Sequence, residues 1–444
     1  MTDGNAVDRL ERYVTALPDT DPTTAREHLA PLAGALSDAR LVGLGEATHG
    51  THEFVTLRDG LVRSLVADHG FRLLALEVGF AKSLALDRHV AGGDGHLDAL
   101  LRDLGLWVWA TEELRGLLEW VRAFNEGRPA EDRVRVLGFD APSVSAPAGA
   151  LREYLRRVAP ETLATVRDGL DDLADGEARG ERFPLAADHV GTGRETVAAL
   201  ETRFDAHEDE WVRRGGAAEY SLARGHLRAL AAAVRFSAES YRVDVPHGAV
   251  DVRDEAMAGT VAWLVEWTDV DHAVCWAHNG HLFRGLTDGT WEAYTPMGRH
   301  LHERFGEDYR VVATAFDRGA FRAFEDPEAV ERPEPRTFEV GPFADVLRSV
   351  DESFPTPTVG SALLEATGEA DAVRFDVARA AADPTLGAWL EEPHPLRDVP
   401  AAFRDEADHR WSQSLAAETD ALLFVPETTP TTPLEGAPRH PERS

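Results

Sequence analysis

Apolar residues follow two rhythms along this chain. Short unbroken apolar runs alternate with longer stretches whose apolar positions recur at helical spacing. The runs predict buried strands at 39–44, 73–78, 134–139, 272–276, 309–314 and 420–425. The spaced stretches predict helices. Residues 52–69 set Phe54, Leu57, Leu61, Leu65 and Val66 on one face. Further helices are expected over 81–89, ended by Gly92-Gly93, and near 298–305 and 251–267. Another covers 111–125, with Thr111 as N-cap and the acids Glu112 and Glu113 at its positive end. Residues 6–34 read as two helices, with Asp21 or Thr23 as a cap and Pro22 early in the second. Residues 147–241 read as a helical insertion between strands, a candidate cap. The expected fold class is therefore α/β: a mostly parallel central sheet flanked by helices, with a helical insertion. Its body would be 1–146 and 242–430, and the Pro/Thr-rich end, 431–444, would be a disordered tail.

Composition narrows the classes of function. Hydrophobic residues are 43% of 444, enough for a sizeable core. No apolar run approaches the length of a membrane span. Met1-Thr2-Asp3-Gly4 lacks the basic and apolar regions of a signal peptide, so a cytoplasmic location is expected. The lone Cys275 excludes an intrachain disulfide and any cysteine-rich metal site, and its apolar setting reads as buried strand. The net charge is −32, and of 46 basic residues only Lys82 is lysine. So acidic a surface disfavours nucleic acid and anionic membrane as partners. Dispersed acids with almost no lysine match proteins of high-salt cytoplasm, where salt screens the self-repulsion.

The chemistry gathers at strand ends. The first strand leads to Glu46 and His49, the second to Glu77, the third to Asp140 and the fourth to His278 and His281. In open α/β sheets, sites form outside the carboxyl ends of the strands, so these residues should converge on one cleft. A neutral histidine can take a proton from water while a carboxylate orients its ring. Arg58 can stabilise developing negative charge or fix a carboxylate. Gly45 and Gly50 are expected to let the backbone bend sharply and a ligand approach closely. Each residue also has a plainer reading: Asp140 as a turn residue, Arg58 as an ion-pair partner, His281 as a supporting contact, and Trp107 and Trp109 as packing. No Gly-x-Ser-x-Gly elbow, Walker loop or dinucleotide fingerprint is present.

These motifs, in order, resemble the erythromycin esterase family. Gly45-Glu46-Ala47-Thr48-His49-Gly50 with Arg58 is similar to the opening signature of the family. Ala75-Leu76-Glu77, Trp107-Val108-Trp109-Ala110-Thr111-Glu112-Glu113, Gly138-Phe139-Asp140, Arg253-Asp254, Ala277-His278-Asn279-Gly280-His281 and Pro296-Met297-Gly298 continue it. The resemblance implies hydrolysis of a small-molecule ester by activated water, with no covalent acyl-enzyme. The best-known members open the macrolactone of erythromycin-type antibiotics and so confer antibiotic resistance. It assigns His49 as general base and Glu46, Glu77, Arg58 and His278 as its catalytic company. His281, Trp109, Glu112 and Asp140 become substrate-binding. No cofactor is expected; the alternative is a divalent metal at Glu46, His49, Glu77 and His278, in a hydrolase of amides or peptides. A non-catalytic small-molecule-binding homologue is the other alternative, and oligomeric state stays open.

Overall fold

The computed structural model describes residues 9–141, 143–175, 184–242, 248–285, 294–325, 335–350, 358–368, 370–405 and 410–438. The chain begins with β1 (Val14–Leu17), α1 (Pro22–Ala35), β2 (Leu41–Glu46), α2 (His52–His69), β3 (Leu73–Gly79) and α3 (Phe80–Val90). After α4 (Leu97–Asp103) and α5 (Glu112–Asn125) comes β4 (Arg135–Asp140). Four helices follow: α6 (Ser145–Val158), α7 (Pro160–Asp175), α8 (Ala187–Gly215) and α9 (Ala217–Glu239). The chain then returns through α10 (Gly248–Thr268), β5 (Ala273–His278), α11 (Asn279–Leu282), α12 (Met297–Phe305) and the long β6 (Tyr309–Glu325). The last part holds β7 (Pro335–Val340), α13 (Phe343–Val350), α14 (Val359–Thr367), β8 (Ala372–Asp376), α15 (Val377–Ala381) and α16 (Pro384–Glu391). It closes with β9 (Pro393–Arg397), β10 (Ala402–Phe403), β11 (Arg410–Ser414), α17 (Leu415–Glu418) and β12 (Ala421–Thr428).

The central sheet runs in the order β1-β8-β12-β6-β2-β5-β3-β4. From β12 to β4 every neighbour is parallel, while β8 and β1 add antiparallel edges. The pleat explains why both faces are covered. Leu74 and Leu76 enter one core with α2 and α5; Leu73 and Ala75 enter another with α10. From β2 the chain skips a place to β3 and β4, then returns to fill the gap with β5 before placing β6 on the far side of β2. That reversal opens a crevice at the carboxyl ends of β2, β5 and β3. Glu46 and His278 end adjacent strands as direct partners in the register. Between β4 and β5, helices α6 to α9 share an apolar cluster of their own, from Leu151 and Leu155 to Phe204 and Leu230.

Two expectations are corrected. Residues 6–34 are not helix alone: Arg9 and Leu10 are helical, residues 6–8 lie outside the described residues, and Val14–Leu17 is an edge strand, its register running from Val14 opposite Phe375 to Leu17 opposite Ala372. The helix after it is capped as expected, Asp21 accepting from Thr23 N at 2.9 Å. Thr431 to Pro438 is not a loose tail. Thr431 N donates to Gly50 O at 3.0 Å, Leu434 N donates to Ala110 O at 2.9 Å, and Leu434 is buried. Its prolines remove donors, but the threonines between them supply enough to bond loops of the body. Residues 439–444 lie outside the described residues. Among the described residues, no helix is long and apolar enough to cross a membrane.

Candidate active site

The turn after β2 is fastened to two other segments and to itself. Ala47 N donates to Thr314 Oγ1 at 2.8 Å, Val399 N donates to Ala47 O at 2.7 Å, and the Thr48 and Thr51 hydroxyls share a 2.7 Å bond. The glycines serve this fastening, which corrects the expectation that they admit a ligand. A Cβ on Gly45 would collide with the Asn279 side chain, and one on Gly50 with the Arg322 carbonyl. Neither glycine is in the left-handed region, so close approach by the protein itself, not a sharp bend, selects glycine here.

That turn presents a carboxylate and a histidine already paired. Glu46 Oε1 lies 2.6 Å from His49 Nδ1, and Glu46 Oε2 accepts from Arg58 Nη2. Arg58 is itself fixed, donating through Nε to Phe54 O at 2.9 Å and lying 3.9 Å from the centre of the Trp276 ring. Burial penalises the Glu46 charge, but Arg58 and His49 outweigh it and lower its pKa to about 2. An ionised Glu46 accepts only, so the His49 ring proton sits on Nδ1 and a lone pair is left on Nε2. No bond from a described residue takes Nε2, and His49 borders a cavity of about 460 Å³.

Across the cavity the arrangement is denser. Arg253, on α10, donates to Glu77 Oε1 at 2.8 Å and to both oxygens of Asp140 at 3.1 and 2.9 Å. Its Nη1 is 3.1 Å from His281 Nε2. His281 Nδ1 faces Asp254 at 2.9 Å, and Asp254 is fully buried. Glu77 Oε2 accepts from His278 N at 3.0 Å. The His278 ring accepts at Nδ1 from Gly280 N at 3.3 Å, while its Nε2 lies 2.9 Å from Asp398 Oδ1. Asn279 anchors this corner, donating to Thr314 O at 2.8 Å and to Asp398 at 3.3 Å. Burial disfavours charge on both rings, yet the pKa of His278 is raised, chiefly by Asp398, and that of His281 by Asp254. Glu77 goes well below the usual carboxylate range: burial would raise it, but His281 and Arg253 prevail.

The structure thus brings Glu46, His49, Arg58, Glu77, Asp140, His278 and His281 together at one edge of the sheet. Trp109 joins them, lining the cavity and donating from Nε1 to Glu77 O at 3.2 Å. Glu112 does not reach it: as the first residue of α5 it ion-pairs with Arg115 on its own helix. Arg58 fixes a carboxylate rather than facing substrate; the arginine that reaches the cavity is Arg253. Arg253 and Asp254 were visible as a motif, but beside Asp251 and Glu255 in the first turns of α10 no local pattern marked their role. Asp398 was missed. It follows β9 in a stretch with no strand-end signature, and only the fold carries it to the turn.

The metal alternative finds no donor set. Among the described residues no group of three or more His, Cys, Asp or Glu is arranged to hold an ion. Both oxygens of Glu46 and of Glu77 are already engaged, by His49 and Arg58 and by Arg253 and the His278 amide. A cation there would have to displace the buried Arg58 or the half-buried Arg253.

A sequence model of the family described as erythromycin esterase matches residues 66–428. The chain belongs to the erythromycin esterase family. It is 24% identical to erythromycin esterase type II of Escherichia coli over 307 residues, covering 65% of this chain and 71% of that one. Over 301 residues it is 24% identical to the type I enzyme of the same organism, covering 64% and 71%. A solved Bacillus cereus structure aligns with a TM-score of 0.78 at 23% identity, over 98% of this chain and all of that one. An erythromycin esterase mutant in its open conformation aligns at 0.68 and 18%, over 94% and 98%. These likenesses bear out the α/β fold expected from the sequence, and the family makes the chain a hydrolase. The matched span begins after the Glu46–His49 turn, so that turn rests on its own geometry.

Proposed function

We propose that this family member is an ester hydrolase in which His49 activates water for attack on a carboxylic ester. The observation that carries this reading is the Glu46–His49 pair, 2.6 Å apart, locked from behind by Arg58 and open to the cavity in front. His49 Nε2 takes a proton from water as the water oxygen bonds to the ester carbonyl carbon. The ring becomes a cation, which ionised Glu46 stabilises. Arg253 has spent four N–H groups on Glu77, Asp140 and His281, which leaves one on Nη1 for the oxyanion. His49 then returns its proton to the departing alkoxide, giving an acid and an alcohol. No step calls for a metal or other cofactor.

The cavity narrows the substrate. Leu106, Trp107, Val108, Phe236 and Phe324 form its apolar walls, and the polar groups gather at one end. This suits a small molecule with an apolar body and one hydrolysable end; a macrolactone is one such class. The test is a panel of macrolides and simple esters at high salt, with wild type and His49→Ala. We expect kcat to fall by about a hundred- to ten-thousandfold in the variant. Unchanged hydrolysis of every ester would refute the reading.

A further inference from the structure

A second concavity, of about 700 Å³, runs between α9 and α10. Ala231 and Ala232 on one helix and Ala256 and Gly259 on the other line it, and their small size keeps the crevice open. Ala232 and Ala256 also line the catalytic cavity. One turn along from each alanine, Phe236 and Arg253 point to the cavity, while Arg228 and Gly259 border the crevice. The two spaces therefore adjoin across a pair of alanines.

The crevice is cationic where the chain as a whole is not. Arg224, Arg228 and Arg235 line it, with Glu201 and Glu255, in a chain of net charge −32. Arg224 pairs with Asp205 and Arg235 with Glu255, each at 2.7 Å and each largely in solvent, where such pairs contribute little. Arg228 has no ion-pair partner among the described residues. Its guanidinium reaches across to α10, 5.9 Å from the centre of the Trp263 ring, with Nη1 3.6 Å from where a Cβ on Gly259 would stand. Arg228 is exposed; partial desolvation against the crevice, then Arg224 and Arg304, push its pKa down, and nearby Glu266 is taken by Arg304. An arginine with no ion-pair partner among the described residues, in so acidic a chain, is a place for an anion from outside.

We propose that this crevice is a second subsite, taking an anionic group — carboxylate or phosphate — at the far end of an ester whose carbonyl sits at His49. The substrate would then be an apolar ester with a negative tail. This rests on the hydrolase reading for its first half only. The test uses nitrophenyl esters with acyl chains of equal length that end in methyl, carboxylate or phosphate, at one fixed salt concentration. Wild type should favour the anionic esters, and Arg228→Gln should cut the anionic-to-neutral ratio of kcat/KM by about tenfold, through KM. Arg228→Lys should restore part of it. Preference between carboxylate and phosphate tells which anion is native. In parallel, Trp263 fluorescence is titrated with a free dicarboxylate and a phosphate monoester, which needs no turnover. Saturable binding, weakened in Arg228→Gln, supports the subsite even if no ester is cleaved, in which case the hydrolase reading alone falls. Equal ratios in wild type and Arg228→Gln, or no saturable binding, overturn the subsite.

Discussion

His49 and His278 face each other with ring centres 5.2 Å apart, and their surroundings differ in kind. Among the described residues His49 bonds only Glu46, which leaves its second nitrogen toward the cavity. His278 has both nitrogens engaged, Nδ1 accepting from a backbone amide and Nε2 held by Asp398, which keeps the ring proton on Nε2. The difference lies in where the carboxylate's partner is. Glu46 is neutralised by Arg58, so it orients His49 while adding little net negative charge to the cavity. Among the described residues no arginine pairs with Asp398, which holds His278 directly. One side is built to take up a proton, the other to keep one. Assigning either histidine from residue type alone would miss this, since one ends an apolar strand, the other follows one, and each has a glycine close by.

The largest effect expected from this contrast is that of Glu46→Gln. The amide oxygen can still accept from Arg58, but its NH₂ would then donate to His49 Nδ1. That forces the ring proton onto Nε2, where the reaction needs a lone pair. We expect kcat to fall by about a hundred- to ten-thousandfold with little change in KM. A loss smaller than about tenfold would mean that His49 does not work through Glu46.

The second effect is smaller and has a sign set by pH. The pKa of His278 is raised above its unfolded value of 6.5, so its contribution to stability is full below that value and fades as pH rises through the folded one. Glu46 behaves oppositely: lowered from 4.5 to about 2, it contributes above 4.5 and loses that contribution as pH falls toward 2. Asp398→Asn removes the main cause of the His278 shift. Melting temperatures measured from about pH 5 to about pH 9 should show an alkaline decline of several degrees in wild type that is weakened or moved to lower pH in the variant. Identical pH profiles would separate Asp398 from the charge on His278.

The same contrast explains what the sequence disclosed. Glu46, Glu77, Asp140 and His278 were legible because each ends an apolar strand, and parallel strands deliver their ends to one edge. Arg58 was legible as an arginine on the next helix, but whether it faces substrate or a carboxylate depends on packing against Trp276. The half that holds His278 is built from long-range contacts. Asp398 lies 119 residues beyond Asn279, and no local period marks it. The strands β7 to β11 were not read for a related reason: they are short or edge-placed, so they lack the unbroken apolar runs of the central ones. The edge strand β1 was taken for helix on the same grounds. Pairing with β8, 355 to 361 positions away, decides its state rather than its own pattern.

Salt should have the smallest effect at the site, although it acts strongly elsewhere. The surplus acids are dispersed over a surface of net charge −32, and their mutual repulsion is screened over a length of about 3 Å in molar salt and about 30 Å in ten-millimolar salt. The Glu46–Arg58 pair is enclosed, its side chains 4% and 1% exposed, where mobile ions do not reach. We therefore expect the melting temperature to fall by several degrees from molar to millimolar potassium chloride. By contrast, kcat on a neutral ester, measured well below melting, should change by less than about twofold. A melting temperature indifferent to salt would remove the high-salt reading of the composition. A kcat that tracks salt while the protein stays folded would show instead that the His49 side is open to solvent ions, and the division between a proton-taking and a proton-keeping side would lose its electrostatic basis.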